Sequence, residues 1–81
     1  MSVSACFIYE KIYPGVPMNT VDNVESVYHC QHLCQATSGC AAFNYMHDPA
    51  NAFFRRCYLK TSDQQVVDPQ WPGLVAGLKY C

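Results

Sequence analysis

The stretch YHCQHLCQATSGC, Tyr28 to Cys40, places three of the chain's six cysteines and two of its three histidines within thirteen residues. Its reading decides the fold, because the same residue types can serve a metal knuckle, a redox dithiol or a disulfide framework. His29, Cys30, His32 and Cys34 offer nitrogen and sulfur ligands. A zinc knuckle, however, brings a second pair of ligands a few residues apart, and the cysteines at 57 and 81 are too dispersed to supply one. A redox dithiol usually takes the form Cys-x-x-Cys at a helix N-terminus, which is absent here. The disulfide reading fits the size. A chain of 81 residues has a small core, and ordering entropy roughly cancels apolar burial in such chains, so cross-links are the expected supplement. An even set of cysteines at 6, 30, 34, 40, 57 and 81 reads as three disulfides formed in an oxidising compartment.

The rest of the composition narrows the class. Five basic and six acidic residues give a formal charge of -1, too balanced to make nucleic acid or an anionic membrane the default partner. No apolar run approaches the roughly 20 residues needed to cross a bilayer, so direct membrane insertion is not expected. The first residues, MSVSACFIYE, have neither the basic leader nor the apolar core of a signal peptide. The chain therefore reads as a single domain, 1–81, excised from a larger extracellular protein. No Asn-x-Ser/Thr sequon occurs in it.

Working outward from the cysteine stretch, Asp22 precedes Glu25 at capping-box spacing, which predicts a helix from about Asn23 to Thr37. Val27, Cys30, Leu33, Cys34 and Thr37 fall on one side of that helix and form its core face. Ser38-Gly39 suits the exit. ACFIYEKIY (5–13) reads as a strand stopped by Pro14-Gly15, and GVPMNTV as an irregular or edge segment. CAAFNYM (40–46) has strand composition, with Phe43 and Tyr45 on one face. FFRRCYLK (53–60) reads as its hairpin partner across a turn at Asp48-Pro49. The segment 61–73 is a long connection holding at most a short strand at Val66-Val67, and LVAGLKYC closes the chain as a strand. The simplest architecture is α+β, one helix packed on an antiparallel sheet.

Composition alone leaves fifteen ways to pair six cysteines. Cys30 and Cys34 share the inward face of the helix, and geometry favours Cys34 with Cys40 beyond the exit, Cys30 with Cys57 in the middle strand, and Cys6 with Cys81 at the ends, without proving it. The order Cys6, CQHLC, Cys40 with FNY, CYLK and GLKYC resembles the PAN/apple domain. That family is known from the tandem repeats of plasma prekallikrein and coagulation factor XI, and from apicomplexan microneme adhesive proteins. The resemblance spans essentially the whole chain. It implies an antiparallel sheet crossed by one helix, two bridges fixing the helix (30–57 and 34–40), and the terminal bridge 6–81 of the apple variants. The spacing from Cys6 to Cys30 is more compact than in longer apple domains.

No enzyme is expected. The chain shows no nucleophile elbow or evident catalytic constellation, a domain this small has little volume in which to desolvate a cleft, and no cofactor or metal is implied. His29 and His32 read as solvent-facing helix residues whose one functional role would be pH sensitivity. Binding remains. Arg56, Tyr58 and Lys60 alternate on the face opposite Cys57, and Lys79 follows on the last strand. Such a basic and aromatic strip can stack on a sugar, pair with a sulfate or anchor a protein; the same pattern also fits an ordinary solvated sheet face. Trp71 reads as a packing or contact residue. The expected function is an extracellular adhesion module, in a microneme protein involved in host-cell attachment and stored in that secretory organelle. Its expected partners are a protein or a cell-surface glycan, with neighbouring apple domains in the parent chain. The rival readings are a structural spacer in a tandem array and the apple domain of a clotting-type zymogen.

Overall fold

The computed structural model describes residues 6–63, 65–70 and 72–80. Along the chain run β1 (Phe7–Tyr9), β2 (Asn19–Val21), α1 (Val27–Ala36), β3 (Ala42–Met46), β4 (Cys57–Lys60) and β5 (Leu74–Leu78). The strands form one sheet in the order β1-β5-β3-β4-β2, every neighbouring pair antiparallel. The α+β expectation of a helix on an antiparallel sheet is therefore met. The centre of the sheet is β3, buried over its whole length.

Alternation decides what each face of the sheet carries. Phe43 and Tyr45 of β3, Cys57 and Leu59 of β4, and Val75 of β5 join Val24, Val27, Cys30 and Cys34 beneath the helix. The Tyr45 hydroxyl, buried in this core, donates to the Val24 carbonyl at 2.6 Å, satisfying the one polar atom that its ring brings inside. Gln31 and Gln35 on the helix donate to the carbonyls of Leu78 and Lys79, tying the helix to the end of β5. The opposite face is also covered in part. Tyr13, Ala42 and Ala76 form a second, smaller cluster, with Val66 and Leu78 against it, and Ile12 bridges Val67.

Two disulfides fix the helix, Cys30–Cys57 and Cys34–Cys40. These are the two helix pairings expected from the sequence. The count of three bridges is corrected to two among the described residues: the remaining expected pair, Cys6–Cys81, includes Cys81, which lies outside them. Trp71 lies outside them as well.

The strand read over 5–13 is shortened to Phe7–Tyr9, because Glu10 takes a left-handed backbone with φ 60°, and two further elements differ from the sequence reading. The helix starts at Val27, not near Asn23, and its N-cap is Ser26, whose Oγ accepts the His29 N–H at 3.1 Å. Asn23 takes a left-handed backbone with φ 61°, and Val24 is buried with its N–H donated to the Arg55 carbonyl. Core burial of Val24 therefore overrides the capping box that Asp22 and Glu25 would form. The second difference is that FFRR is not strand. Asp48 and Asn51 side chains accept the N–H groups of Ala50 and Phe53, and such local bonds favour turns over a ladder. Arg55, at φ 71°, then redirects the chain: its N–H donates to the Met46 carbonyl and the Met46 N–H donates to the Arg56 carbonyl, and the regular ladder with β3 runs from Cys57.

Candidate functional site

The side of β4 turned away from the helix carries Tyr58 and Lys60, and that is where the candidate site lies. Tyr58 and Lys60 point away from the helix because Cys57 and Leu59 are committed to it. Facing them, the segment Ile12–Pro17 folds over the sheet. Asn44 holds it there: within the apolar strand AFNYM its side-chain oxygen accepts the Tyr13 N–H at 2.8 Å, and its amide donates to the Tyr13 carbonyl at 3.0 Å. The amide thus serves as a strand partner for a segment whose prolines exclude a regular ladder.

Between this segment and the sheet lies a cavity of about 380 Å³, lined by Ile12, Tyr13, Pro14, Pro17, Tyr58 and Lys60 among others. Its walls are mainly apolar and aromatic, with few free polar groups. Asn44 reaches the lining but is occupied by Tyr13. Lys60, expected on a solvated face, is only 4% exposed. Its ammonium donates to the Gly15 carbonyl, and among the described residues it has no carboxylate partner. Burial pushes its pKa down from the ordinary lysine value, because leaving water penalises the charged form. Tyr13 shifts the other way: burial first, and then the charge of Asp63, raise its phenol's pKa.

The other two sequence-predicted site residues lie outside this cavity. Arg56 is committed internally, its Nε donating to Asp22 at 2.7 Å and its guanidinium sitting 4.6 Å from the centre of the Phe53 ring. The hydrogen bond to Asp22 raises its pKa most, with smaller contributions from the Asp22 charge and the adjoining Tyr58 phenol. Lys79 lies beyond β5, with its ammonium 5.6 Å from the centre of the exposed Tyr80 ring. The structure thus brings Tyr58 and Lys60 together, sets Arg56 beside Tyr58, and leaves Lys79 apart. Sequence reasoning missed Tyr13, Pro14 and Pro17. The signal for them was Asn44, a polar residue inside an otherwise apolar strand, which requires a partner from another segment.

The cysteine stretch holds no metal site. Cys30 and Cys34 are both consumed by disulfides, the Nδ1 of His29 accepts the Glu25 N–H, and His32 is exposed. Among the described residues no cluster of three or more His, Cys, Asp or Glu is placed to hold a metal ion, and no helix is long and apolar enough to cross a membrane.

Comparison with known proteins agrees with this architecture. A solved PAN module from Eimeria tenella superposes with a TM-score of 0.61 at 21% sequence identity, over 100% of this chain and 87% of that one. No curated protein matches the chain. The family model for the PAN domain matches residues 13–60, from the segment over the cavity through the helix to the end of β4. PAN domains are non-catalytic interaction modules. With that match covering more than half of its length, this chain belongs to the PAN domain family.

Proposed function

We propose that this PAN domain is an extracellular adhesion module that recognises a protein or a cell-surface glycan through the side of the sheet opposite the helix. Tyr58 and Lys60 form the centre of the recognition surface, with Arg56 beside them and Lys79 as an outlying contact. The observation that carries the reading is the cavity against β4, where the buried Lys60, without a carboxylate partner among the described residues, meets aromatic and proline walls. Small recognition sites have this composition, an apolar lining with a few placed polar groups. The disulfides on two successive turns of the helix suit an oxidising, extracellular setting.

Within that reading we place the module in an apicomplexan microneme protein, stored in that organelle and used in host-cell attachment. The compact cysteine spacing and the shared fold with the Eimeria tenella module support this over the apple domain of a clotting-type zymogen. A spacer role is favoured by one observation only, the internal commitment of Arg56 to Asp22 and Phe53. Screening the isolated domain against a glycan array and against candidate protein partners separates these readings. Saturable binding that weakens in Tyr58→Ala and Lys60→Met supports recognition. Binding to nothing, together with altered spacing of neighbouring domains when this one is deleted from its parent chain, supports the spacer.

A further inference from the structure

We propose that the cavity between the Ile12–Pro17 segment and β4 takes a carboxylate carried on an aliphatic body and supplied by a partner polypeptide. This rests on the recognition reading above and names its ligand chemistry. Three features of the cavity select that chemistry.

The first is charge. An ammonium has three N–H donors, and that of Lys60 spends one on the Gly15 carbonyl. Among the described residues it has no other hydrogen-bond partner and no carboxylate within ion-pair distance, although the residue is only 4% exposed. A buried charge is costly unless it is paired, and an anion entering the cavity supplies the missing partner through charge-assisted hydrogen bonds. The second is the wall. Ile12, Pro14, Pro17 and the rings of Tyr13 and Tyr58 make a surface for an aliphatic or aromatic group. The third is the scarcity of other polar groups. A sugar presents hydroxyls around its whole ring and leaves them unpaired where the wall is apolar. Here the Asn44 amide is already occupied on both its oxygen and its nitrogen by Tyr13. The cavity volume of about 380 Å³ suits one or two residues of a peptide and lies near the small end of ligand sites.

The carboxylate has two sources in a polypeptide, a chain terminus and an acidic side chain, and the probes distinguish them. The folded domain, labelled with ¹⁵N, is titrated with N-acetyl-leucine, its amide N-acetyl-leucinamide, N-acetyl-glutamate N-methylamide and glucuronate. The expected result is weak, saturable binding of one of the two peptide carboxylates, with shifts centred on Gly15, Tyr58 and Lys60. N-acetyl-leucinamide binds at least about tenfold more weakly than N-acetyl-leucine if the terminus is the source. In Lys60→Met the preference for acid over amide disappears while residual apolar binding persists. Because acid and amide are compared on one protein, the result does not depend on how well the variant folds. Equal binding of acid and amide with no response to the glutamate probe, tighter binding of glucuronate, or no shift in the cavity overturns the inference. If the cavity stays silent while a glycan or protein partner shifts Arg56 or Lys79, the inference falls and the adhesion reading stands. If the cavity takes the carboxylate of a polypeptide in a domain that adheres to no cell surface, the adhesion reading falls and the inference stands.

Discussion

The ring of Phe43 fills the space that a side chain on Gly77 would need. A Cβ on Gly77 would lie 2.2 Å from the Phe43 Cζ, and Phe43 is fully buried at the centre of the sheet. The two residues are opposite one another across β3 and β5, and Phe7, which also faces Gly77, packs its ring 6.1 Å from that of Phe43. Gly77→Ala should therefore destabilise the domain by about 1–3 kcal/mol or more, the range for overpacking a close-packed core. Adding Phe43→Leu should recover part of that loss, because the two sites share one space. Chemical denaturation of the two single variants and the double variant measures the coupling, and additive losses would show that the contact is not what makes glycine necessary.

The two disulfides should contribute unequally. Cys30–Cys57 closes a separation of 27 residues and Cys34–Cys40 one of 6. In the loop-entropy description, the longer bridge is worth about 1.3 kcal/mol more at 25 °C. Replacing Cys30 and Cys57 together by Ala should lower the denaturation midpoint more than replacing Cys34 and Cys40. The opposite order would place the energetic weight at the helix exit.

Ser26 is the helix cap, so Ser26→Ala should cost about 1 kcal/mol of stability. Asp22→Ala should cost less, since Asp22 serves the exposed ion pair with Arg56 and not the helix. Thermal unfolding followed by far-ultraviolet circular dichroism distinguishes the two, and a larger loss at Asp22 would restore the capping box suggested by the sequence.

Lys60 should give stability an alkaline signature. Burial lowers its folded-state pKa from 10.5. Below the depressed value both states are charged, and the folded state bears the full cost of burying the ammonium. Between that value and about 10.5 the unfolded chain binds more protons, so this residue's contribution to stability rises with pH. Tyr13 and Tyr45, whose phenols burial raises above 10.0, act in the opposite sense: the unfolded chain loses their protons first, and stability falls as pH passes 10. Comparing wild type with Lys60→Met cancels the tyrosines. The wild type should gain relative to the variant as pH rises toward 10.5, and a pH-independent difference would mean that the Lys60 ammonium is not desolvated.

The fold was legible in the sequence wherever alternation and cysteine spacing acted together. The inward face of α1 with Cys30 and Cys34 and the shared face of Phe43 and Tyr45 follow from periods of 3.6 and 2, and the pairing of Cys57 with the helix is implied by the PAN/apple resemblance, which agrees with the geometric preference. What local pattern could not carry was competition from distant partners. The Asp22-Glu25 capping signal loses to the burial of Val24 and its bond to Arg55, and strand composition at Phe53-Phe54 loses to turns closed by Asp48 and Asn51. For the site, alternation put Tyr58 and Lys60 on one side of β4, but nothing local to CYLK tells that Tyr13 and its flanking prolines cover that side. The burial of Lys60 was therefore illegible, as was the pairing of Arg56 with Asp22, 34 residues away in sequence.

Adhesion through the side of the sheet opposite the helix is the role proposed for this module. It is tested most directly by binding of the labelled domain to intact host-cell surfaces, comparing wild type, a Tyr58→Ala/Lys60→Met double variant and, as a control on the exposed face of the helix, His32→Ala. Saturable binding should fall at least about tenfold in the double variant, the loss of roughly 1.4 kcal/mol expected when a central contact is removed, and should be unchanged in His32→Ala. Binding that survives the double variant at full strength, with the variant folded, would contradict it.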